Sequence, residues 1–281
     1  MSPCGEQGTT REWCDLAVSA ARAAGKELLG AFGEPGQERR EDGRDVKAGA
    51  DRVAEAVLVG ELESSGLPIL SEESGWIRET SGKGRADWGL LERGPEKVAC
   101  ESVWVIDPLD GTYNFLQGIP LCCVSVALWE NGAPTVGVVY DFVRDECFWG
   151  GKRLGAWCNG EPIVVSARTK ASRSGIAMGF PNARDYGEES LHATIAAVQK
   201  YKKVRMLGSA ALSLAYVAAG RLDRYEEEDI YLWDVAAGLA LVEGAGGRRS
   251  LKAGRSETQV RVRADNGRLE EKSWGSEADK G

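Results

Sequence analysis

Residues Val103-Trp104-Val105-Ile106-Asp107-Pro108-Leu109-Asp110-Gly111-Thr112-Tyr113-Asn114-Phe115 constrain this chain more than any other stretch. Four consecutive apolar residues, rich in β-branched side chains, predict a buried strand. The strand delivers two aspartates, three residues apart, into a proline turn that runs on into Gly-Thr-Tyr-Asn. Carboxylates held at the end of a rigid strand suit a hard, oxygen-seeking cation. The backbone N–H groups of Gly111 and Thr112, where they open a helix, point at an anion. A cation site touching an anion site outlines a phosphate-processing centre.

The spacing separates two chemistries. Phosphatases that pass through an aspartyl-phosphate also place an acidic motif ending in Asp-Gly-Thr after a hydrophobic strand, with one residue between their two aspartates. Counting back two from Asp110 gives Pro108, which cannot act as a nucleophile. Asp107 and Asp110 are therefore favoured as metal ligands, with water as the attacking group. The histidine count narrows the field further. His192 is the only histidine, whereas a Ser-His-Asp triad, a phosphohistidine or a multi-histidine zinc site each needs histidine beside other catalytic groups. It lies in the stretch 188–202, where Leu191, Ile195 and Val198 recur at helical spacing, and reads as a helix-surface residue. Chemistry here must run on carboxylates, hydroxyls and bound metal.

Charge and composition bound the partners. The formal net charge of −8 argues against a nucleic-acid backbone as the main one. No apolar run approaches the ~20 residues that span a bilayer, and the polar stretch Met1 to Thr10 lacks the apolar core of a signal peptide. Seven cysteines (Cys4, Cys14, Cys100, Cys122, Cys123, Cys147 and Cys158) form no C-x-x-C pair and no even framework, so reduced thiols in a cytoplasm are the simplest reading. Cys122 and Cys123 lie in the strand-like run 121–128 as small hydrophobes.

Helical and strand patterns alternate without internal repeats. Trp13, Leu16, Ala17, Ala20, Ala24 and Leu28 share one face of a predicted helix over 10–32, with Gly33 as its stop. Residues 36–43 read as a loop or hairpin tip, 51–64 as a second helix, 68–70 as a short strand and 80–97 as a connection outside the core. Strands are predicted at 121–129, 135–140, 147–149 and 162–165, with turn signals at Asn131-Gly132 and Asn159-Gly160. Past a boundary near Ser166 come strand 175–179, helix 188–202, strand 203–206, helix 209–219, strand 222–226, helix 234–243 and strand 248–251. The pattern predicts a mixed α/β layered fold, with an N-terminal α+β half over 1–165, a C-terminal α/β half over 166–266 and a disordered polar tail over 267–281.

Three further segments stand in order around the central motif. Upstream are Asp45-Val46-Lys47-Ala48-Gly49-Ala50-Asp51-Arg52-Val53-Ala54-Glu55 and Ile69-Leu70-Ser71-Glu72-Glu73-Ser74; downstream, Trp233-Asp234-Val235-Ala236-Ala237-Gly238 runs on to Glu243-Gly244-Ala245-Gly246-Gly247. Together the four resemble the inositol monophosphatase-like family of metal-dependent, lithium-sensitive phosphatases, over roughly residues 10 to 265. The resemblance implies a layered αβαβα sandwich of the sugar-phosphatase type, a homodimer, two or three Mg²⁺ ions and an active site between the two halves. It implies that Asp107 bridges two metals, that Asp110, the Leu109 carbonyl and Glu72 are further ligands, and that Asp234 reaches the second metal from the other half. Asp51 is assigned to a loosely held further metal and to orienting the attacking water. Thr112 and Glu72 would orient that water and accept its proton, for in-line attack on phosphorus without a phosphoenzyme. Gly111, Thr112, Gly208, Ser209, Ala210, Glu227 and Asp234 would border the substrate, with Glu227, seven residues before Asp234, receiving a hydroxyl.

Plainer roles stay open for the same residues. Asp107, Asp110 and Asp234 stand where helix caps are common, Asp51 is an ordinary acidic helix start, Glu73 rivals Glu72, and Glu226 to Asp229 is a run of a kind usually solvated. Gly49 stands where the family more often has a hydroxyl or β-branched residue, which puts the third metal position in doubt. Ser71 replaces a frequent glycine, and Arg39-Arg40 falls where some members carry a lysine on a mobile loop. The Gly-Thr-Tyr-Asn-Phe version of the motif argues against a 3′-phosphoadenosine phosphatase. The expectation is a cytoplasmic, Mg²⁺-dependent phosphomonoesterase for a small polyol or sugar phosphate, such as inositol monophosphate or fructose 1,6-bisphosphate. Histidinol phosphate, a pathway-specific sugar or nucleoside phosphate, and a catalytically silent sugar-phosphate-binding role are the alternatives.

Overall fold

The helix read from the first apolar stripe forms as α1 (Thr10–Ala31), in a computed structural model that describes residues 9–33, 39–42, 45–77, 102–180, 187–256 and 258–270. A capping box starts it: the Glu12 N–H donates to the Thr9 hydroxyl at 3.3 Å and the Thr9 N–H to the Glu12 carboxylate at 2.6 Å. The hairpin β1 (Arg39–Asp42) and β2 (Asp45–Ala48) leads to α2 (Gly49–Leu62). Next come β3 (Ile69–Ser71), β4 (Gly75–Ile77), β5 (Val103–Asp110), the short α3 (Thr112–Leu116), β6 (Cys123–Glu130), β7 (Ala133–Asp141), β8 (Glu146–Gly151), β9 (Gly155–Cys158) and β10 (Glu161–Pro162). Strands β3 to β10 make an eight-stranded sheet in the order β10-β9-β8-β7-β6-β5-β3-β4.

The remainder alternates: β11 (Gly175–Ala177), α4 (Glu188–Val198), β12 (Lys203–Arg205), α5 (Ala210–Ala218), β13 (Arg224–Tyr231), α6 (Leu232–Gly244), β14 (Arg248–Ala253) and β15 (Gln259–Asp265). These five strands form a second sheet, ordered β12-β11-β13-β15-β14. The chain steps from β11 to its parallel neighbour β12 and then back past β11 to β13, also parallel. Because such crossovers are right-handed, that reversal sends α4 and α5 to opposite faces. The ends of β11 and β12 open at the point of reversal, the usual place for a crevice in an open α/β sheet.

Burial on both faces explains why 103–106 reads as an unbroken apolar run. Trp104 and Ile106 pack with α1 and α2, whereas Val103 and Val105 pack with α5, α6 and the second sheet. The two layers differ in room. Trp104 stacks edge-on to Trp13 at 6.1 Å and donates its indole N–H to the Ser65 hydroxyl at 3.0 Å, on the α1/α2 side. On the other side α6 lies so close to β7 that a Cβ on Gly137 would fall 2.1 Å from the Ala237 carbonyl oxygen. Trp104, held between α1 and α2, thereby fixes the face of every other β5 residue. The whole is the layered αβαβα fold expected of the sugar-phosphatase type.

Several elements differ from the sequence reading. The central strand does not stop at Ile106 but continues through Asp110, and α2 begins at Gly49 rather than Asp51. The strand expected at 162–165 is confined to Glu161–Pro162, and β9 and β15 appear where no strand was expected. Residues 80–97 lie outside the described residues, as do 271–281 of the expected tail. Its first part packs: Leu269 is buried with Ile176 and Tyr201, and the Glu270 N–H donates to the Thr169 carbonyl at 2.9 Å. His192 is exposed on α4, as its spacing predicts, and Cys122 and Cys123 are buried. No helix among the described residues is long and apolar enough to cross a membrane.

Candidate metal centre

In a regular strand, residues three apart point to opposite faces. Asp107 and Asp110 escape that rule through a bulge: Asp107 lies opposite Ser125 and Asp110 opposite Cys123, so β5 spends three residues where β6 spends two. Pro108, which has no N–H for the ladder, occupies the irregular stretch. Both carboxylates therefore enter the inner layer, on the side of Val103 and Val105. Asp107 Oδ1 accepts the Leu109 N–H at 3.0 Å, and the Thr112 hydroxyl donates to the Leu109 carbonyl at 3.0 Å, which locks the turn. Gly111 caps α3 at φ +90°, where a Cβ would fall 2.8 Å from the Leu121 carbonyl oxygen, so only glycine fits.

Two more acids arrive from separate elements. Glu72 follows β3, its N–H donating to the Ile106 carbonyl at 3.2 Å and so extending the parallel pairing with β5. Asp234 sits in the first turn of α6, where its carboxylate accepts the Tyr231 N–H at 3.2 Å. Glu72, Asp107 and Asp234 each present an oxygen within 4.8 Å of the other two. Glu73 does not join them. Burial holds the Asp107 carboxyl well above the usual carboxylate range, and Glu72, Asp110 and Asp234 push it further. Asp234 is raised by burial and then by Glu72, Asp110 and Glu227. Asp110 is raised to about 6 by burial, against the opposing pull of the Ser209 hydroxyl at 2.5 Å and the Ala211 N–H at 2.8 Å. Crowded carboxylate oxygens of this kind fit a hard divalent cation.

These acids line a cleft of about 260 Å³ together with Gly111, Thr112, Gly208, Ser209, Ala210 and Glu227. Leu109 lines it too, and Asp51 does not: it is buried on α2, one turn before Glu55. Asp110 does not cap the helix that follows it, whose N-cap is Gly111; its carboxylate instead receives the N-terminus of α5, while Ser209 caps α5 by accepting the Leu212 N–H at 3.2 Å. The acidic run is not simply solvated. Strand alternation turns Tyr225 and Glu227 inward, where the Tyr225 hydroxyl donates to Glu227 at 2.7 Å. Glu226, Glu228 and Asp229 pair with Arg263, Arg261 and Arg255. Arg205 is exposed and donates to the Val204 carbonyl at 2.9 Å.

The sequence reading missed part of the lining. Met178, Gly179 and Phe180 follow β11, and Tyr225 and Ile230 come from β13. A bulge between Glu227 and Ile230 turns the latter inward, with Asp229 at φ +58°. Asn114, inside the central motif, braces the site. Its amide donates to the carbonyls of Leu121 and Leu207, each at 2.8 Å, and so ties the loop before α5 to α3.

The chain is similar to known proteins over most of its length. The model of the inositol monophosphatase family matches residues 9–276. The Nus factor SuhB of Xylella fastidiosa is 38% identical over 237 residues, spanning 83% of this chain and 79% of that protein. The inositol-1-monophosphatase of Synechocystis is 37% identical over 241 residues, 84% of this chain and 77% of that one. The crystal structure of extragenic suppressor protein suhB from Bartonella henselae superposes with a TM-score of 0.76 at 33% identity, covering 91% of this chain and 94% of the other. By motif, fold and sequence alike, the chain belongs to the inositol monophosphatase family.

Proposed function

We propose that the cleft hydrolyses the monoester of a small polyol or sugar phosphate, with Glu72, Asp107 and Asp234 holding a divalent cation of the Mg²⁺ type. The convergence of three acids from three separate elements within 4.8 Å carries the reading. Asp110, the Leu109 carbonyl and Asp51 complete the proposed donor set for a second and third ion. A bound cation there supplies charge neutralisation and a more acidic water. The chain's own residues do the rest. Thr112, its hydroxyl proton committed to the Leu109 carbonyl, offers a lone pair that accepts a hydrogen bond from the water and orients it, and the Glu72 carboxylate accepts the proton. The N–H groups of Gly111 and Thr112 receive the phosphate. Gly208, Ser209 and Ala210 border the polyol, and the buried Glu227, steadied by Tyr225, accepts one of its hydroxyls.

The test is phosphate release from inositol, sugar, nucleotide and histidinol phosphates with Mg²⁺, with EDTA and with added Li⁺. The name of the Synechocystis relative makes inositol 1-phosphate the first substrate to try. Metal-dependent, lithium-sensitive release concentrated on a polyol or sugar phosphate is the expected outcome. Metal-independent release, or silence from folded protein in Mg²⁺, contradicts it.

A further inference from the structure

We infer that Glu55 is a positioning residue, the anchor on α2 that holds Glu72 in the metal centre; the inference rests on the metal-dependent reading above. Glu55 lies four residues after Asp51 on the same helical face and is 8% exposed. Its carboxylate accepts from the Ser71 hydroxyl, from the Ser74 N–H at 3.1 Å and from the Ser74 hydroxyl at 2.6 Å. Ser71 ends β3 and Ser74 immediately precedes β4, so one carboxylate grips both ends of the turn that carries Glu72 and Glu73. The Glu72 N–H meanwhile bonds to Ile106 on β5, and the turn is held from two sides.

Such a grip answers a physical need. Of the three clustered acids, Asp107 lies within a strand and Asp234 within a helix, while Glu72 alone lies on a turn. Repulsion among three carboxylates within 4.8 Å moves the softest member first. A buried charge is costly where packing alone is wanted. The three bonds that offset this cost all come from the Glu72 turn, and bonds to a carboxylate are the strong kind. Losing a residue that orients a ligand typically weakens metal affinity 10–100-fold.

The test is Mn²⁺ binding followed by electron paramagnetic resonance, with phosphate release measured in parallel. Glu55→Ala is expected to raise the Mn²⁺ dissociation constant by about 10–100-fold. In Glu55→Gln the amide oxygen accepts from Ser71 and the Ser74 N–H while its NH₂ donates to the Ser74 hydroxyl. Binding there is expected to stay within about threefold of wild type. Where Glu55→Ala does not fold, the Ser71→Ala/Ser74→Ala double variant keeps the carboxylate and removes two donors, for an expected rise of about tenfold. A lowered melting temperature with unchanged Mn²⁺ affinity would show a merely structural role and overturn the anchor, as would an equal loss in Glu55→Gln. Wild-type protein that binds Mn²⁺ but releases no phosphate contradicts the phosphatase reading alone. Wild-type protein that binds no Mn²⁺ overturns both.

Discussion

From the eight-stranded sheet and α6, the cleft receives carboxylates packed against one another; from the five-stranded sheet it receives Met178, Phe180 and Ile230 around a single carboxylate, Glu227. Asp107 and Asp234 are both pushed well above the usual carboxylate range, by burial first and by neighbouring acids next. Glu227, by contrast, has a hydroxyl from Tyr225 aimed at it, and the outward acids of its strand are paired with arginines. The contrast teaches a division of labour. One region gives up stability to hold positive charge where phosphate arrives, and the other spends ordinary packing on the shape of the alcohol.

That division can be broken experimentally. Asp107→Asn is expected to lower kcat by about a thousandfold, with the fold retained by circular dichroism and the metal-free melting temperature raised, because a repelled buried charge is gone. Near-normal turnover would refute the assignment. Thr112→Ala is expected to lose about a hundredfold in kcat with KM little moved; an effect confined to KM would place Thr112 in recognition instead. On the other side, Tyr225→Phe removes one hydrogen bond, about 1 kcal/mol. It is expected to raise KM about fivefold with kcat within a factor of two, read from steady-state kinetics on the preferred substrate. A collapse of kcat in that variant would erase the distinction between the two regions.

Titration sharpens the same contrast. Asp110 has a folded pKa of about 6 against an unfolded value of about 3.9. Between those values the folded state keeps a proton that the unfolded state has lost, so stability falls as pH rises through that window. In EDTA the melting temperature is therefore expected to drop by several degrees between about pH 4 and pH 6. Mg²⁺ is expected to restore it, with a larger gain at about pH 7.5 than at pH 5, since protons compete for the same oxygens. Scanning calorimetry with and without metal measures both, and a Mg²⁺ gain that is flat with pH would contradict the account.

How much of this the sequence discloses follows from where the information lies. Asp107, Asp110, Glu72 and Asp234 stand in short local motifs, and a motif survives being read in one dimension. What joins Asp107 to Asp110 on one face does not: a bulge at Pro108 shows only in the pairing with Ser125 and Cys123. Met178, Phe180 and Ile230 carry no polar signature, and strand order alone brings them to the cleft. The Glu226–Asp229 run held a readable signal in its alternation, with Tyr225 and Glu227 inward and Glu226 and Glu228 outward. The same holds for β15, where Val260, Val262 and Ala264 are buried between Arg261 and Arg263. Asp51 owes its proposed role to the motif alone. Its place in a motif marked it as a ligand, yet α2 buries it outside the cleft lining.

Anomalous scattering from Mn²⁺-soaked crystals decides whether Glu72, Asp107 and Asp234 form a cation site. A peak is expected within coordination distance of one oxygen from each of the three residues, lost in Asp107→Asn. Mn²⁺ bound elsewhere, or no peak among these three at concentrations that support turnover, would contradict it.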